Sequence, residues 1–103
     1  MISLSGRGAV ITGGSRGIGR AAAELLCELG ASVVINGRDP VAVEEAAAAI
    51  NDSGGHAVGV TGAADDERVA AALIDECTRT FGRLDILINC AGIAEPRASS
   101  ILE

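Results

Sequence analysis

The sequence predicts an α/β fold, a doubly wound parallel sheet of about four strands in the order βαβαβαβ. Three observations predict it. Short apolar runs alternate with segments of helical period. The apolar runs are near-continuous rather than alternating, as in strands covered on both faces. A helical segment lies between successive runs, which supplies the right-handed crossovers that parallel pairing needs. At 103 residues the chain forms one domain at most, read over residues 1–103 without repeat or linker.

Each element has its own signal. Ala9-Val10-Ile11-Thr12 is a β-rich run that ends in glycines. Ile18, Ala22, Leu25 and Leu29 then recur on one face of a helix, and Gly30 follows as a C-terminal cap. Ser32-Val33-Val34-Ile35-Asn36 is the second strand. Asp39-Pro40 opens the second helix, Asp as N-cap and Pro in the first turn. That helix runs through Ala46 to Ala49 and stops near Ser53-Gly54-Gly55. His56 to Thr61 is a third strand with Gly59 in its middle. Asp65-Asp66-Glu67 suits the positive end of a third helix, whose apolar face is Val69, Leu73, Cys77 and Phe81, with Arg79 and Arg83 near its far end. Asp85-Ile86-Leu87-Ile88-Asn89 is the fourth strand, and Glu95 to Glu103 carries no complete element.

Composition excludes several classes of function. Hydrophobic residues make up 49% and aromatic residues 1%, so a core of Ala, Val, Ile and Leu is expected, with Phe81 the one ring. The net charge of -6 argues against general binding to nucleic acid or anionic lipid. No run approaches the roughly 18 apolar residues of a membrane span, and the first residues lack the pattern of a signal peptide. Cys27, Cys77 and Cys90 are an odd set without close pairs, which suits a reducing, cytoplasmic compartment. Their spacing matches no metal motif, so they are read as packing residues and no metal site is expected. His56 is read as exposed. The chain has no Tyr, and all eight of its basic residues are Arg, so it has no Lys. Chemistry that needs a Tyr acid or a Lys base cannot run on these residues alone.

The sharpest motif is Thr12-Gly13-Gly14-Ser15-Arg16-Gly17-Ile18-Gly19, between the first strand and the first helix. Glycines there let the backbone approach a pyrophosphate, and the helix N-terminus offers free N–H groups and a positive dipole end. This is the position of the nucleotide loop in Rossmann-like folds. A P-loop is rejected, because Arg20-Ala21 stand where Lys and Ser or Thr are needed. A flavodoxin-like signalling domain shares the alternation, but Thr12, Asn36, Thr61 and Asn89 supply no cluster of acids at the strand ends.

The spacing Thr12-Gly13-x-x-x-Gly17-x-Gly19 resembles the T-G-x-x-x-G-x-G signature of the short-chain dehydrogenase/reductase family. Asn89-Cys90-Ala91-Gly92 is similar to the family's N-N-A-G motif, and Asp85 falls where the family has an Asp before the fourth strand. The resemblance covers nearly the whole chain. It implies that the backbone around Ser15, Arg16, Gly17 and Ile18 holds the cofactor phosphates, that Gly13 and Gly19 belong to the same cofactor site, and that Asn89, Ala91 and Gly92 line the adenosine and ribose side.

A free ribose 2′-hydroxyl is usually read by an acid at the end of the second strand. Here that position is Gly37, followed by Arg38, and Arg16 lies in the glycine loop on the same side. Two Arg and no acid favour NADP(H) over NAD(H). Asp39 is read as a helix cap. The family Asp that meets the adenine amine after the third strand is replaced by Gly62, followed by Ala63.

The family transfers hydride between NADP(H) and a carbonyl or alcohol, using a Ser, a Tyr and a Lys that come after the fourth strand. No catalytic residue is therefore assigned. The chain is expected to be the cofactor-binding part of such a reductase, truncated before those residues and inactive alone. The alternative is a non-enzymatic nucleotide-binding module, or half of a split enzyme. The expected partners are a nicotinamide dinucleotide and, at the edge beside the fourth strand, a second copy or a complementing C-terminal half.

Overall fold

The computed structural model describes residues 2–91. In chain order they form β1 (Gly8–Thr12), α1 (Gly17–Glu28), β2 (Ser32–Gly37), α2 (Pro40–Asp52), β3 (His56–Thr61), α3 (Glu67–Phe81) and β4 (Ile86–Asn89). The four strands form one parallel sheet in the order β3-β2-β1-β4. The α/β, doubly wound reading holds. Among the described residues no helix is long and apolar enough to cross a membrane.

Helices cover both faces. On one side Ala9, Ile11, Val33 and Ile35 pack against Ala23 of α1 and Ala46, Ala47 and Ile50 of α2. On the other, Val10 and Val34 pack against Leu73 and Cys77 of α3, with Val69 and Phe81 at the margin. The alternation of side chains along β1 and β2 divides the core this way. Full burial of each of these Val and Ile side chains stabilises by about 1.5–3 kcal/mol before entropy is counted. The predicted caps form. Asp39 Oδ1 accepts from the Val41 amide at 3.0 Å, and Asp66 Oδ1 accepts from the Arg68 amide at 2.8 Å.

Two expectations need correction. The face Ile18, Ala22, Leu25, Leu29 is not the one that α1 buries. Ile18 is 68% and Leu25 55% exposed, while Gly19 and Ala23 are buried, with Leu26 and Cys27 beside them on the core. The helix lies so close to the loop that its contact face is made of its smallest residues. Continuous burial of all four strands also fails. β1 is buried throughout and β2 almost so, but β3 and β4 alternate, and Leu87 is 62% exposed. Both are edge strands of the described sheet.

Gly59 inside β3 has a steric cause. A Cβ there would lie 2.6 Å from Val43 Cγ1, and one on Gly37 would lie 2.9 Å from Val43 Cγ2. Val43 of α2 thus fills a pit left by two glycines on neighbouring strands. At the opposite end of the sheet, Asp85 joins β4 to β1. Its carboxylate accepts from the Gly8 amide at 2.9 Å and from Arg83 at 2.6–2.9 Å, and its amide donates to the Gly8 carbonyl at 2.8 Å.

Candidate functional site

The strand order reverses between β1 and β4. In open α/β sheets the crevice beyond the carboxyl ends of the strands at such a point is where ligands bind. Both glycine-bearing motifs meet there. Thr12 pairs with Asn89 in register, and its hydroxyl donates to Asn89 Oδ1 at 2.7 Å. The same oxygen accepts from the amides of Cys90 at 3.1 Å and Ala91 at 3.3 Å. Gly13 continues the strand at φ +64°, where a Cβ would come within 3.0 Å of the Ala91 amide nitrogen. Positive φ and close approach both require glycine there. Gly92 lies outside the described residues.

α1 starts directly above this junction. A Cβ on Gly19 would collide with the carbonyl oxygen of Gly13, so the first turn can settle onto the loop only with glycine at that position. Arg16 is the N-cap and makes no side-chain capping bond, and no acid occupies the first turn. The contrast with α2 and α3, both capped by Asp, is chemical. The first amides of α1 keep their donors and their share of the helix dipole for something outside the protein. Gly17 has φ +56° and no heavy atom within 4 Å of where its Cβ would stand, so the space over it is open. Ile18 is exposed beside it. Ser15 is buried, with its Oγ 2.6 Å from where a Gly37 Cβ would be.

The third side of the site is the end of β2. The Asn36 carbonyl accepts from the Gly14 amide at 2.8 Å. Its buried side chain donates from Nδ2 to the carbonyls of Val60 at 3.2 Å and Gly62 at 2.9 Å. Asn36 therefore ties the glycine loop to the end of β3. This role was not read from the sequence, although an Asn closing an apolar run was its signal. Arg16 Nη2 lies 3.0 Å from Asp39 Oδ2, with both side chains partly exposed. Arg38 is exposed and makes no side-chain hydrogen bond or ion pair among the described residues.

The sequence model of the short chain dehydrogenases matches residues 7–103.

The chain belongs to the short chain dehydrogenase family.

It is 47% identical over 92 residues to a cis-4-hydroxycyclohexanecarboxylate dehydrogenase of Sinomonas cyclohexanicum, covering 89% of this chain and 36% of the relative. It is 41% identical over 112 residues to the chloroplastic NADPH-dependent aldehyde reductase 2 of Arabidopsis thaliana, covering 97% of this chain and 41% of the relative. A crystal structure of a dehydrogenase/reductase from Sinorhizobium meliloti superposes with a TM-score of 0.82 at 38% identity, over 88% of this chain and 36% of that one. The chain thus spans well under half the length of these relatives, and it matches the N-terminal, cofactor-binding part of the short chain dehydrogenase domain. The family binds nicotinamide dinucleotides.

The remaining candidates of this short chain dehydrogenase chain lie away from the junction or serve structure. Cys77 is fully buried, and its thiol donates to the Arg83 carbonyl at 3.2 Å. Burial pushes the Cys77 and Cys27 thiols up, so neither is an activated nucleophile. His56 opens β3 and is exposed, as read. Among the described residues no group of three or more His, Cys, Asp or Glu could hold a metal ion.

Proposed function

We propose that residues 1–103 are the NADP(H)-binding part of an oxidoreductase that interconverts a carbonyl and an alcohol. The observation that carries this reading is the uncapped N-terminus of α1, set over the Gly13–Gly19 contact and facing open space at Gly17. An anion fits there, because the free amides around Ser15, Arg16, Gly17 and Ile18 are donors with no competing acid cap. Gly13 and Gly19 keep that approach narrow. Asn89 and Ala91 line the adenosine and ribose side, with Gly92 assigned to it by its place in the family motif alone, and Thr12 fixes the Asn89 side chain so that its amide keeps donors for a ligand.

NADP(H) is favoured over NAD(H) by charge. Gly37 offers no carboxylate to a 2′-hydroxyl, Arg38 has no partner among the described residues, and Arg16 reaches the same corner, as its ion pair with Asp39 attests. A 2′-phosphate takes planar, charge-assisted hydrogen bonds from guanidinium groups. The nicotinamide ring, when bound, supplies or accepts the hydride. The chain's own residues bind and orient, and none is assigned to proton transfer, since these 103 residues contain neither Tyr nor Lys. Three Cys, an odd number without close pairs in sequence, suit a reducing, cytoplasmic compartment.

The test is a thermal melt with each dinucleotide. A ligand at a hundredfold excess over its Kd stabilises by about 2.7 kcal/mol. The expected outcome is a larger rise in Tm with NADP than with NAD, and no NADPH oxidation above background with a panel of ketones. A larger rise with NAD would refute the cofactor preference, and turnover by the chain would refute the absence of catalytic groups.

A further inference from the structure

We propose that Asp39 is a specificity-determining countercharge that withholds Arg16 from the dinucleotide's ribose 2′ position. The proposal rests on the cofactor reading above and adds a residue to it. Both carboxylate oxygens of Asp39 are engaged. Oδ1 accepts from the Val41 amide at 3.0 Å and caps α2, while Oδ2 holds Arg16 Nη2 at 3.0 Å. The sequence explains the first bond, since Asp before Pro is a helix start. It does not explain the second, which joins residues 23 apart across the mouth of the site.

The place where an acid would ordinarily read the ribose is crowded by side chains. A Cβ on Gly37 would meet Ser15 Oγ at 2.6 Å and Val43 Cγ2 at 2.9 Å. The first acid after β2 is Asp39, two residues on. Its charge cancels that of Arg16, so among the described residues Arg38 is the uncompensated cation of this corner. A phosphate monoester brings a charge of about -1.5 to -2 near neutral pH. It must draw Arg16 off Asp39 or accept a carboxylate beside it, and both lower its affinity. A free 2′-hydroxyl meets neither cost. Asp39 thereby narrows a preference that Arg16 and Arg38 would otherwise make steep.

The prediction is made on Asp39→Asn, which keeps a side-chain oxygen for the cap and removes the charge. Kd values for NADP and NAD are measured by calorimetry on the chain and its variants at low salt. Asp39→Asn is expected to tighten NADP binding about threefold to tenfold, as one exposed charge pair and one charge-assisted bond allow, and to leave NAD within about twofold. The gain should shrink in high salt. It should also shrink in an Arg16→Ala background, because it runs through Arg16. A melting temperature close to the parent's shows that the cap is intact, and Asp39→Ser, another cap former, serves as the second variant. An unchanged NADP-to-NAD ratio in both variants overturns the proposal while leaving the cofactor reading standing. A gain that persists undiminished without Arg16 also overturns it. Binding of neither dinucleotide by the parent chain overturns the cofactor reading and the proposal together.

Discussion

Thr12 uses one hydroxyl three times, donating to Asn89 and accepting from the Cys90 and Ala91 amides. A valine of the same shape would leave Asn89 Oδ1 and the Ala91 amide short of a partner in a half-buried place, while the Cys90 amide keeps the Thr12 carbonyl at 3.1 Å. We expect Thr12→Val to cost about 1–3 kcal/mol in urea-unfolding experiments, and Thr12→Ser to cost much less. The glycines of the loop separate by cause. Gly19→Ala puts a Cβ into the Gly13 carbonyl and should abolish dinucleotide binding along with much of the stability. Gly17→Ala meets no atom and suffers only from its positive φ, about 1–2 kcal/mol. Comparing the two variants by calorimetry and by melting distinguishes crowding from backbone strain. The motif is legible in the sequence but these causes are not, because which atom a Cβ would strike depends on where the Ala91 backbone and the first turn of α1 lie.

At the scale of elements, β1 and β4 are joined at one end by Thr12 and at the other by Asp85. The Arg83 guanidinium beside it, and then the Gly8 amide, hold the Asp85 carboxyl below its ordinary value of 3.8. A carboxyl depressed by folding contributes stability that is present above its unfolded pKa and is lost as pH falls through the folded one. Unfolding midpoints measured from about pH 6 down to about pH 2 should therefore fall in the acid range, and Asp85→Asn should flatten that fall. The uncapped start of α1 gives a second test. Arg16→Ser adds a cap worth about 1 kcal/mol against a surface ion pair worth less, so the ligand-free chain should gain slightly in stability while dinucleotide binding weakens. Element order and caps were legible because apolar runs between helical segments, Asp39-Pro40 and the Asp65-Asp66-Glu67 run are local signals. The buried face of α1 was not. Apolar size points to Ile18 and Leu25, whereas contact with the sheet selects Gly19 and Ala23, and only the tertiary approach of helix to loop reveals that. Asn36 and the second bond of Asp39 escaped for the same reason, their partners being distant in sequence.

At the scale of the molecule, the described sheet pairs β4 with β1 on one side only, and Leu87 projects apolar surface beside that edge. Unpaired edges associate. Sedimentation velocity of the chain should show concentration-dependent self-association, and Leu87→Lys should suppress it; a monodisperse monomer at all concentrations would contradict this. A different consequence follows from Val43, whose two methyl groups occupy the space that side chains on Gly37 and Gly59 would need. The three positions share one volume. Gly59→Ala made first crowds the Val43 Cγ1 methyl, yet made after Val43→Ala it refills a void. The two changes are unequal as first steps and tolerable as a pair, so the history by which such a pit can be rebuilt runs in one direction. A sequence that carries the bulkier residue on β3 should already carry the smaller one on α2.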